Sequence, residues 1–189
     1  RQGETIRIAF CRRAFQRRIG AVLFGEKGDH FGQAITLLGQ THGLPGAQGM
    51  INNRFWQLDL GPVPTHLAAE QEHARRLLKL VRPAIAHLEA CRRQATLNTP
   101  LLDAFLFGAR RMELIGQRVL DHLEASRAYQ EACELPRERA LPLLAKAEAL
   151  LRRNRDAHAA LGREFAALWH RENRPYALDP VLKRYENAV

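Results

Sequence analysis

A chain of 189 residues with a formal charge of +9 has room for one domain with a hydrophobic core and little room for two. Its 46% hydrophobic and 26% charged residues exclude the class of chains too polar to collapse. Cys11, Cys91 and Cys133 stand far apart without CxxC spacing, which excludes a zinc ribbon or a disulfide framework and predicts small core thiols.

The chain opens on Arg1-Gln2-Gly3 without an initiator Met and is read as a piece of a longer protein. From Thr5 to Phe24 the residues Ile8, Cys11, Phe15, Ile19, Val22 and Leu23 recur at helical intervals, and Gly25 follows as a C-terminal cap. Arginines interrupt this stretch too often for a signal segment or a membrane span, so no membrane partner is expected. Asp29 is the expected N-cap of a second, shorter helix through Phe31, Ala34, Ile35 and Leu38, closing near Gly39. From His42 to Pro64 the chain is rich in Gly and Pro around Phe55-Trp56. A connection of that length is either functional or packed down by its own aromatics.

Thr65 caps a long third helix whose stripe runs from Leu67 to Cys91, with Pro83 inside it predicting a kink rather than two helices. Thr99-Pro100 opens a fourth helix with a broad apolar face from Leu102 to Leu123. After a break at Glu134-Leu135-Pro136 a fifth helix runs from Leu141 to Trp169 and stops at Asn173-Arg174-Pro175. Asp179-Pro180 repeats the cap-plus-Pro signature and starts a last short helix through Leu182 and Tyr185.

The expected fold class is all-α: an antiparallel bundle of three long helices with two shorter N-terminal helices and a short C-terminal helix, forming one domain over 1–189. Helices of about 30 residues span about 45 Å, so short connections force neighbours to run antiparallel. Gly108 and Gly116 in the fourth helix predict points of close backbone approach.

Chemistry is sparse. Glu70-Gln71-Glu72-His73 holds one Glu-x-x-His where a di-metal bundle needs two, so neither metal nor cofactor is expected. The eight histidines are scattered, and no Asp-Glu or Asp-Asp pair offers the two carboxylates of glycoside chemistry. No catalytic residue is assigned. The charge alone invites a basic module for nucleic acid or another polyanion, which titration against DNA at two salt concentrations would reveal. However, only Lys27, Lys79, Lys146 and Lys183 are lysines, and the arginines fall in pairs interleaved with Glu. That is the pattern of solvated helix faces, and it disfavours a nucleic-acid partner. A free-standing catalyst built on the bundle would need a bound metal or cofactor. Two features stand apart: Phe55-Trp56, placed to stack on a sugar or dock on a neighbouring domain, and the tail around Trp169, Glu172, Asn173, Arg174 and Tyr176.

Through Leu168-Trp169, Glu172-Asn173-Arg174-Pro175-Tyr176, Leu178-Asp179 and Arg184-Tyr185, the tail resembles the C-terminal helical region of bacterial β-N-acetylhexosaminidases of glycoside hydrolase family 20. Weaker matches lie at Phe15 to Gly25, Leu37-Leu38-Gly39 and Gly108 to Gly116. The resemblance implies a bacterial parent with an upstream (β/α)8 barrel that removes terminal N-acetylhexosamine units. An Asp-Glu pair works there, the Glu as general acid and the Asp orienting the substrate's own acetamido group. This chain lacks both the barrel and the pair. The implied partners are the barrel itself, a second subunit in a homodimer, and carbohydrate through the parent enzyme.

Overall fold

A computed structural model describes residues 2–44, 56, 67–174 and 176–188, helical but for the connections, with no strand among them. Among the described residues six α-helices of ten residues or more follow in order: α1 Gln2–Phe24, α2 His30–Gln40, α3 Leu67–Gln94, α4 Thr99–Cys133, α5 Arg137–Glu172 and α6 Leu178–Asn187. The three long ones have 28, 35 and 36 residues. The all-α fold class is therefore the observed one. Contacts gather in two units, one formed by Arg1–Gly43 with Lys79–Arg110 and the other by Leu44–Leu78 with Arg111–Val189.

In the first unit, Phe24, Phe31, Leu88, Cys91 and Leu102 form a sealed core. Phe31 stands between Phe24 and Phe105, edge-on to both, with ring centroids at 4.6 and 5.1 Å. The end of α1 is fixed by the α3–α4 connection. Gly25, at φ +68°, turns the chain out of the helix, and the Phe24 carbonyl accepts the backbone N–H groups of Thr96 and Leu97. The Asn98 side-chain amide donates to the Leu23 carbonyl at 2.8 Å. The last carbonyls of a helix have no partner within it, so this loop is what satisfies them.

Glu26 is a carboxylate in this apolar core. It accepts the backbone N–H of Phe31 at 3.1 Å and hydrogen-bonds the Cys91 thiol. Burial first, and then the bond to Glu26, push the Cys91 thiol up to about 12. Because the thiolate is the reacting species, Cys91 is expected to stay unmodified when the folded protein is treated with iodoacetamide at pH 8. Exposed Cys133 is expected to react, as peptide mapping would read. Labelling of Cys91 as fast as Cys133 would mean that this core opens.

Three cap expectations need correction in detail. Asp29 precedes α2, but its carboxylate holds the Gln33 side-chain amide rather than capping the backbone. At the start of α4, Asn98 takes the cap position at φ +49°; its carbonyl accepts from Leu101 and Leu102, and Thr99 is already helical. Helix α6 begins at Leu178, after Ala177 at φ +64°, which places Asp179 and Pro180 inside its first turn. A Pro is equally tolerated there because those N–H groups have no helical acceptor. Pro83 lies within an unbroken α3, and α5 ends at Glu172 with Asn173 extended.

In the second unit, α4 and α5 run antiparallel. Asp121 meets Arg153, Glu124 meets Lys146 at 2.7 Å, and Ala125, Ala128 and Ala147 pack between them. The buried positions Ala140, Ala147, Asn154 and Leu161 recur every seven residues along α5, the period of a helix that keeps one narrow seam against a partner. Gly116 faces α3, where an added Cβ would stand 2.9 Å from Leu78 Cγ and 3.3 Å from the Ala74 carbonyl. The expected close approach is real at Gly116 and wrong at Gly108, which has nothing within 4 Å of an added Cβ.

Candidate functional site

The second unit holds an aromatic and cationic cluster at α5 and α6. Tyr185 of α6 lies over Gly162 of α5, where an added Cβ would stand 3.2 Å from the Tyr185 Cβ and Cγ, a tight contact. Around it stand Trp56 at 5.1 Å, His158 at 5.5 Å and Phe165 at 5.7 Å between centroids, and Phe165 continues to Trp169 at 5.7 Å. Trp56 and Trp169, far apart in sequence, thus end on one chain of rings. The Arg184 guanidinium covers the Trp56 ring at 4.5 Å, and that of Arg111 lies 5.9 Å from its centroid, both within cation–π reach.

His158 is 1% exposed. Burial first, then the positive charges of Arg118 and Arg111, push its imidazole down to about 4, so at neutral pH it is an uncharged ring. Burial also lowers Arg118 and raises the Tyr185 phenol. The buried Arg118 donates to the Ala188 carbonyl at 2.7 Å, a cation placed where the helix dipole leaves negative charge at the end of α6. Asp121 takes Arg153 on both oxygens and the Gln117 amide at 2.7 Å.

The tail residues form a corner rather than a cleft. The Trp169 indole N–H donates to the Arg174 carbonyl at 2.9 Å, and the Asn173 N–H bonds the Trp169 carbonyl. The chain is thereby folded back at the end of α5, while Glu172, Asn173 and Arg174 stay exposed and Tyr176 is 87% exposed. Trp169→Phe keeps the ring and removes the donor. It is expected to cost about 1 kcal/mol in a urea melt and to raise trypsin sensitivity at exposed Arg171, at the end of α5. Unchanged cleavage would mean that this bond does not hold the corner. Phe55 lies outside the described residues, as does Pro175.

Sequence reasoning missed Arg111, Arg118, Asp121 and His158. A signal existed: Asn154 and His158 sit four residues apart on an otherwise apolar helix face, which places polar groups in a core. Among the described residues no three His, Cys, Asp or Glu side chains gather to hold a metal, and Glu70 and His73 belong to no such group. His30 and His87 meet at 3.3 Å through Nδ1, with ring centroids 5.6 Å apart. That separation is about the longest the rings can reach with those nitrogens touching, so the rings meet head-on, as in an N–H···N bond.

Many arginines are tied to acids, as in Arg76–Glu72, Arg92–Asp103, Arg110–Glu89 and Arg152–Glu148. No known family model, curated protein or solved structure matches the chain.

Proposed function

We propose that the chain is a non-catalytic helical accessory module that docks through the α5–α6 corner onto the (β/α)8 barrel of a β-N-acetylhexosaminidase-like glycoside hydrolase. The observation that carries this reading is the corner itself. Trp169 spends its one donor on fixing the turn, and the turn leaves Tyr176 outside, beside Glu172, Asn173 and Arg174. A large aromatic ring left in water, next to an Arg and a carboxylate, has the composition of a docking anchor. The resemblance of these same residues to the hexosaminidase tail supplies the partner. Arginines paired with neighbouring acids are the arrangement of a solvated scaffold, and this favours docking over a polyanion reader.

The test is to produce the parent protein with and without this module. Loss of barrel stability or turnover on deletion, restored when the separate module is added, is the expected result. A barrel unchanged by deletion, together with a module that does not bind it, would remove the proposal.

A further inference from the structure

The fold of the first unit brings His30 and His87 together from 57 positions apart, too far for any spacing motif to announce them. His30 is the first residue of α2, and His87 lies on α3. The core behind them fixes both backbones, because their sequence neighbours Phe31 and Leu88 are buried in one cluster. Glu26 ties the two helices at the same level: it accepts the Phe31 N–H one residue after His30 and the Cys91 thiol one turn after His87. Both imidazoles stay partly exposed, within reach of an ion from solvent.

The two Nδ1 atoms face each other at 3.3 Å, nearly on the line that joins the ring centroids. That is longer than a usual hydrogen bond from a nitrogen donor. A neutral imidazole with its proton on Nε2 offers Nδ1 as a metal ligand. With both rings in that tautomer, two donors aim at one point from opposite sides, which is the ligand set of a linear, two-coordinate ion. Zinc asks for four ligands at tetrahedral angles, and among the described residues no third His, Cys, Asp or Glu joins the pair. Copper(I), a closed-shell monovalent cation, accepts two imidazole nitrogens in a line. Metal–nitrogen bonds of about 1.9 Å to such an ion set the nitrogens about 3.8 Å apart, so the rings have to part by about half an ångström. Rotation of the two partly exposed side chains supplies that without moving either helix. We propose that His30 and His87 form a copper(I) site, each binding through Nδ1 as a neutral ring with its proton on Nε2, so that the pair loses no proton overall.

The test uses the Cys11→Ser/Cys133→Ser chain, because an exposed thiol such as that of Cys133 competes for the same soft ion. Copper(I) is offered without oxygen as its bicinchoninate complex. The expected result is transfer of one equivalent to the protein, an X-ray absorption spectrum of a linear ion with two nitrogen neighbours and no sulfur, and a raised melting temperature. His30→Ala and His87→Ala are each expected to weaken uptake at least tenfold with an unchanged helical circular dichroism spectrum. Zinc(II) at the same concentration is expected to leave the melting temperature where it was. No uptake, sulfur in the copper shell, equal uptake by both alanine variants, or a zinc-induced rise as large as that with copper would overturn the proposal. The absorption spectrum is read with both histidines in place, so it decides even where an alanine variant fails to fold.

Discussion

Gly32→Ala is expected to destabilise the protein by about 3 kcal/mol, a large effect for one added methyl group. A Cβ at Gly32 would stand 1.9 Å from the Gln16 carbonyl oxygen and 2.6 Å from its carbon. Both atoms are backbone, so no rotamer change relieves the clash, and α1 and α2 have to move apart. Moving them loosens the ring contact of Phe31, the preceding residue, with Phe24 at the end of α1. Close-packed cores resist such shifts because every displaced side chain loses dispersion contacts. Gly108→Ala is the control: nothing lies within 4 Å of its Cβ position, and Ala is the better helix former. That substitution should stabilise by about 0.5–1 kcal/mol. Urea melts followed by circular dichroism compare the two, and equal midpoints would mean that α1 and α2 do not touch at Gly32.

The second large effect is acid sensitivity through His158. In the unfolded chain its imidazole takes a proton near 6.5, and in the folded chain near 4. Between these values the unfolded state binds more protons, so stability falls as pH falls. The contribution of the neutral buried ring is fully present above about 6.5 and is lost by about 4. A separation of that size corresponds to about 3 kcal/mol. His158→Gln is uncharged throughout. It is expected to start lower at pH 7, because the contacts with Trp56 and Tyr185 are lost, and to show a flatter decline between pH 6.5 and 4. Parallel pH profiles for the variant and the wild type would remove His158 as the source.

Much of the architecture was legible because apolar side chains at helical spacing have few other ways to be buried. Helices α3, α4 and α5 follow directly from such stripes, and the stop at Asn173 follows from Pro175. Caps were read less well. Asn98 at positive φ and Ala177 in the same conformation are set by where the chain must turn between packed helices, and neighbouring Thr99 and Asp179 carry the stronger local signal. Gly116 and Gly108 look alike in sequence, yet only one meets a neighbour. The pairing of faces decides that, and pairing is a tertiary property. The tail drew attention through its aromatics, and the structure gives Trp169 and Tyr176 opposite roles, one closing the corner and the other standing outside it. The link from Trp56 to Tyr185 joins residues more than a hundred positions apart, beyond what any local pattern encodes.

Hydrogen exchange of the parent protein, compared with that of the isolated chain, tests the docking claim most directly. If the α5–α6 corner sits on the barrel, amides from Trp169 to Leu178 should exchange at least tenfold more slowly in the parent while those in the middle of α5 stay the same. Equal exchange at the corner in both proteins would contradict the account.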